Sequence, residues 1–201
     1  MRRWLIRLLL IGVAVGCRSP RSRFYTLDAI ARSDGAAPAS CTVVVGPVSI
    51  PPAVDRPQFV LQVAPNRVTV DEFHRWASPL DDGVARAIAG DLAVLLGTSN
   101  VAALPATGVV PTYRVAVDVQ RFESRPGESV LIEALWVVRP AGGGEATAGR
   151  TVATETVEGK DLDAVAAAHS RALATVSGDI AAAIRAQASV PRAPTPRRTV
   201  R

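Results

Sequence analysis

Few side chains in this 201-residue sequence combine the types and spacings that chemistry needs. It holds two histidines, His74 and His169, and two cysteines, Cys17 and Cys41, with no CxxC or HExxH spacing. No thiolate or imidazole set therefore has the pattern of a zinc or redox centre. Asp163, His169 and Ser170 supply the residue types of an acid, base and nucleophile. On a helix, however, His169 and Ser170 would point about 100° apart, the wrong geometry for a base and its hydroxyl. His169 fits a hydrogen-bonded packing role instead, and His74, beside Arg75 and Trp76, a surface or loop role. Asp81 and Asp82 are adjacent carboxylates, but their place at a helix start already accounts for them. There is no GxSxG, phosphate loop or Gly-rich dinucleotide turn. The expectation is a protein that is not an enzyme and uses no metal or cofactor.

The clearest chemistry belongs to Cys17. Before it, Leu8 to Gly16 is a run of nine residues without a charge. As a helix that run reaches roughly 14 Å, against about 30 Å for a bilayer core. With Arg2, Arg3 and Arg7 in front, residues 1–16 read as a secretory signal. Ala14-Val15-Gly16-Cys17 resembles the lipobox of bacterial lipoproteins, with cleavage after Gly16 and acyl chains such as palmitate on Cys17. Ala14 stands where leucine is usual. Conventional cleavage that leaves Cys17 exposed fits the same residues. Acylation would leave Cys41 alone, as a small strand-edge residue; a free Cys17 could bridge to it.

The elements around these residues make one domain. The formal charge of +5 includes three arginines in residues 1–16 and four in residues 191–201, with no acid in either stretch. Without those seven charges residues 17–190 carry −2, so the fold has no excess of positive charge to attract nucleic acid. Residues 17–40 read as a tether carrying one short strand, "FYTL" (24–27), followed by a mobile connection. Residues 41–188 read as an α+β domain, and 189–201 as a disordered Pro/Arg tail. "CTVVVGPVSI" (41–50) is a buried strand kinked at Gly46-Pro47. Gln58–Ala64 and Arg67–Phe73 flank Pro65-Asn66 as a hairpin, with Asn66 suited to a positive φ. A helix follows, capped by Ser78 with Pro79 first inside, striped by Leu80, Val84, Ile88, Leu92 and Leu95 and ended by Gly97. Residues 111–125, 128–139 and 150–158 alternate as an antiparallel meander, with a bulge near Arg121 and Trp136 on the inner face. The second helix, from Asp161 to about Ala188, carries a stripe from Leu162 to Ile184. The fold class expected is α+β: a mixed, largely antiparallel sheet with two amphipathic helices packed on one face.

"FYTL" soon after the cysteine, "VVVGPVSIPPAVDRPQFV", "FHRWASPL", "YRVAVDVQRFES", "GESVLIEALWVV" and the closing helix follow one another in an order that resembles the PqiC-like family of ABC-type transport auxiliary lipoproteins. The likeness spans about residues 17–185. Ala53-Val54 stand where that family often has Tyr-Leu. The resemblance implies a non-enzymatic lipoprotein, hung from the outer membrane into the periplasm. Its implied partner is an MCE-domain protein of a lipid transport machine that maintains the envelope, and a homo-oligomeric ring is implied as an assembly. Asp55-Arg56-Pro57 could be a rigid contact loop, since prolines reduce the entropy lost on docking; a local ion pair that fixes the turn is the alternative. Arg75 and Trp76 have the residue types of interface anchors, while Trp76 could equally cover the base of the first helix. Two other functions fit the residues: a free periplasmic lipid carrier with its own cavity, and a purely structural envelope lipoprotein.

Overall fold

The computed structural model describes residues 21–189. Its larger layer comes from three strands whose period-two patterning sends one set of side chains inward. β6 (Tyr113–Arg125), β7 (Ser129–Pro140) and β8 (Thr147–Thr156) form the expected antiparallel meander. Val115, Val117, Ile132, Ala134, Trp136 and Val138 are buried on its inner face, whereas Leu135 and Val152 face solvent. Phe122 is buried because the register shifts between Val119 and Arg121, the bulge that its phase demanded. Trp136 lies over Gly149, where any Cβ would run into the indole ring.

β2 (Val43–Ser49) joins β6 in parallel and its valines 43–45 are fully buried. Its register shifts between Val45 and Val48, at Gly46-Pro47, where Gly46 has φ +127°, a conformation that strains any other residue, and a Cβ would press on the Leu104 side chain at 3.0–3.1 Å. β5 (Val101–Ala103), too short to show periodicity and absent from the sequence reading, completes the order β5-β2-β6-β7-β8.

α1 (Leu80–Leu96) and α2 (Leu162–Ser189) pack on each other and on the inner face of this sheet. Pro79, not Ser78, occupies the capping position of α1, and no side chain caps it; the Ser78 hydroxyl accepts a hydrogen bond from Arg86 Nη2 instead (2.5 Å). Gly97 ends the helix at φ +63°, and the N–H groups of Gly97 and Thr98 close onto Val94 and Ala93 carbonyls. The α2 stripe from Leu162 to Ile184 is buried as expected.

The single mixed sheet is in fact two sheets. β1 (Arg23–Tyr25), β4 (Arg67–Trp76) and β3 (Gln58–Ala64) form a separate three-stranded sheet in the order β1-β4-β3, with β1 parallel to β4. β4 runs three residues beyond the expected Phe73, so Arg75 and Trp76 lie in a strand. Asn66 does not take a positive φ. Pro65 precedes it and locks its own φ negative, which excludes the mirror-image hairpin turn. Phe59 stacks on Trp76 (4.1 Å between centroids), Tyr25 meets Phe59 edge-on (5.1 Å), and Trp76 meets Phe122 of β6 (6.1 Å). Those rings join the two sheets in one core.

Residues 28–40, read as a mobile connection, contain no helix or strand but are pinned across both helices. Ile30 and Ala31 N–H groups each donate to Asp91 Oδ1 (2.8 Å), and the Asp28 N–H donates to Ser170 Oγ (3.1 Å). Arg185 donates to the Ala37 carbonyl (2.9 Å), and the Ala39 N–H to the Leu96 carbonyl (2.8 Å). Ala29 lies so close to Gly90 that a Cβ there would come within 2.5 Å of its own. No described helix is long and apolar enough to cross a membrane.

A candidate docking surface

The turn after Pro51-Pro52 is held by its own main chain. Val54 and Asp55 N–H groups donate to the Pro51 carbonyl (3.0 and 3.2 Å), and the Arg56 N–H donates to the Val54 carbonyl (2.8 Å). Val54 is buried beneath, while Asp55, Arg56 and Pro57 are exposed. Neither Asp55 nor Arg56 joins an ion pair among the described residues. The main-chain bonds, rather than a local ion pair, fix the turn and leave both charges facing solvent.

The small sheet brings the second predicted group beside this turn. The Trp76 N–H donates to the Pro57 carbonyl (2.7 Å), and Gln58 pairs with Arg75. Asp55, Arg56 and Pro57 line one side of an open depression of about 380 Å³, and Trp76, Pro79 and Leu80 the other. A second depression, of about 260 Å³, shares Trp76, Pro79 and Leu80 and continues to Tyr25, Gly83 and Arg86. Trp76 is 7% exposed, stacked in the core, so it forms a wall and does not project as an anchor. Arg75 is half-buried, its Nε donating to the Glu72 carbonyl (3.1 Å). An apolar floor with a charged rim can seat a protruding partner side chain. Burying most of a ligand's surface, as a carrier must, takes an enclosed cavity instead.

The histidines are placed differently. His169 Nε2 and Ser124 Oγ share a hydrogen bond (2.8 Å), and the imidazole stacks on Phe122 at 3.9 Å. Ser124 is a partner the sequence did not reveal, forty-five residues away and on another element. Burial lowers the His169 pKa to about 3, and no part of the ring is exposed. An imidazole so sealed and neutral exchanges no proton with a substrate. His74 lies in β4, half-buried, its Nδ1 2.8 Å from Asp71 Oδ1. Among the described residues no cluster of three or more His, Cys, Asp or Glu side chains could hold a metal ion. Cys41 is buried, with no disulfide partner among the described residues, and burial pushes its thiol pKa up. Cys17 and Gly16 lie outside the described residues, as does the Arg-rich tail.

The family model for the ABC-type transport auxiliary lipoprotein component matches residues 25–181, from the first strand well into α2. The chain belongs to that family. Two crystal structures share the fold of this auxiliary lipoprotein. An uncharacterised protein aligns with a TM-score of 0.67 at 20% identity, over 82% of this chain and 99% of that one. A Xanthomonas campestris protein of the DUF330 family aligns with a TM-score of 0.66 at 21% identity, again over 82% and 99%. The PelC dodecamer from Paraburkholderia phytofirmans aligns more loosely, with a TM-score of 0.38 at 14% identity over 79% and 91%. Among curated proteins none matches the auxiliary lipoprotein. Its family is one of transport auxiliary components rather than enzymes.

Proposed function

We propose that this auxiliary lipoprotein is anchored through Cys17 to the outer membrane, faces the periplasm, and docks an MCE-domain protein of a lipid transport system that maintains the envelope. The juxtaposition of the exposed Asp55-Arg56-Pro57 turn with the Trp76–Leu80 wall carries the docking part of this reading. A turn already fixed by main-chain hydrogen bonds loses little entropy on binding, and two uncompensated charges on its tip can set partner and orientation. A homo-oligomeric ring would repeat that surface around a channel for apolar cargo. Gly16 as the cleavage point and Cys17 as the acylated residue supply the anchor.

Two measurements test it. Intact mass of protein purified from membranes should equal residues 17–201 plus an acyl-glyceride, and Cys17→Ser should lose the addition. Affinity capture with the full chain should recover an MCE-type protein, and the double variant Asp55→Ala, Arg56→Ala should lose it while melting within about 0.5 kcal/mol of the parent, since both residues are exposed. Undiminished recovery with that variant would remove the turn from the docking surface. A soluble, unmodified chain with lipid bound would favour the carrier.

A further inference from the structure

The point where the tether enters the fold carries an exposed aromatic residue that packing does not explain. Tyr25 pairs with Trp76, and both look into the core, with the half-buried His74 ring 5.9 Å from Tyr25 on the same face. Strand alternation then sends Phe24 to the opposite face, beside its lateral neighbour Arg75. Phe24 is 64% exposed where Tyr25 is 7% exposed. Phe73 is 42% exposed, at a break in the β3–β4 register where the Asp71 carboxylate accepts from the N–H groups of Phe73 and His74. Arg23 alternates with Tyr25 to the other face, so the cations near Phe24 are its lateral neighbour Arg75, half-buried, and Arg21, exposed just before the strand.

We propose that Phe24, with Phe73, Arg21 and Arg75, forms a lipid-facing patch that seats the domain against the headgroup region of the bilayer holding its anchor. This rests on the reading of Cys17 as the lipid-bearing residue. Seven residue steps separate Cys17 from Phe24, at most about 25 Å of extended chain. The headgroup zone is itself roughly 5–8 Å deep on each side of the bilayer. Phe24 is the first exposed aromatic after the anchor, and a tether of that length lets it reach the interface. Aromatic rings flanked by arginines suit that boundary: the ring enters the acyl edge while guanidinium groups stay with anionic headgroups. A three-residue edge strand presents the ring without disturbing the core. The patch would also set which way the docking depression points, because Arg75 and Trp76 are consecutive residues on opposite faces of β4.

The test places a tryptophan at the patch. Mature Phe24→Trp protein is incorporated into vesicles of phosphatidylethanolamine and phosphatidylglycerol in which part of the phospholipid carries brominated acyl chains. Val152→Trp, at an exposed site on β8 of the other sheet, is the control, and the parent's buried Trp76 and Trp136 supply the background. The expected result is loss of the added emission for Phe24→Trp and none for Val152→Trp. Intact mass, taken on the same sample, reports acylation separately. An acylated chain whose Phe24→Trp emission is unquenched overturns the patch and leaves the anchor standing. An unacylated chain still quenched on adding vesicles keeps the patch and removes the anchor. Unquenched emission together with lost partner capture in Phe24→Ser would assign the patch to a protein contact and overturn the proposal.

Discussion

Residue chemistry in this protein is mostly spent on holding the fold, and His169 shows how. Its ring is stacked on Phe122 and bonded to Ser124 with no exposure to water, and burial lowers its pKa from 6.5 to about 3. Between those values the unfolded chain binds a proton that the folded chain does not, so stability falls as pH drops from about 6.5 towards 3. The loss attributable to this one group is at most about 1.4 kcal/mol per pH unit. Urea midpoints at pH 7 and pH 5 should therefore separate more for the parent than for His169→Gln, whatever the variant costs at pH 7. Equal separations would mean that the folded ring protonates near its ordinary value. The sequence foresaw a hydrogen-bonded packing histidine because His169 sits on an apolar helical stripe. It could not supply the bonding partner, since Ser124 comes from a strand whose approach depends on the whole fold.

At the scale of elements, the 28–40 segment that straps the two helices depends on one carboxylate. Asp91 is fully buried; its Oδ1 takes two strap N–H groups and its Oδ2 accepts from Ser177 of α2 (3.1 Å). Burial pushes its pKa up, against the pull of the Ala31 and Ile30 N–H groups and the Ser177 hydroxyl. Asp91→Ala should cost about 2–3 kcal/mol through lost charge-assisted bonds and stranded donors. It should also open the strap to trypsin at the exposed Arg32, while Asp91→Asn, which keeps an acceptor oxygen, should be intermediate on both readouts. Unchanged cleavage at Arg32 in Asp91→Ala would show that Ser170, Arg185 and the Ala39–Leu96 main-chain bond hold the strap without it. The strap's lack of periodicity led to its reading as mobile, and the only hint otherwise was an acid beside Ile88 and Leu92 on an apolar helix face. The helices and the meander were legible because their patterns are local, including the bulge that Phe122's phase required. The division into two sheets was not, because the hairpin and the meander alternate identically and only long-range pairing separates them. Likewise the three residues of β5 are too few to show a period.

Across the whole molecule, the two sheets share a core despite having no strand in common. Tyr25, Phe59 and Trp76 of the small sheet reach Phe122 and His169, so the surface on which docking is proposed rests on the same packing that holds α2 to the meander. The docking residues themselves were recognisable as a loop and a strand end, but that the fold sets them side by side follows from the Trp76–Pro57 hydrogen bond, which joins segments about twenty residues apart. A shared core should unfold as one unit. Calorimetry should give a single transition, and Phe59→Ala, deleting a fully buried ring, should lower that transition by about 3–5 kcal/mol without splitting it. Two resolved transitions would instead make the small sheet a separate cooperative unit. Docking would then be free to order or loosen it independently of the helices, and the rigid-turn account of partner binding would give way to one in which the partner completes the fold of its own site.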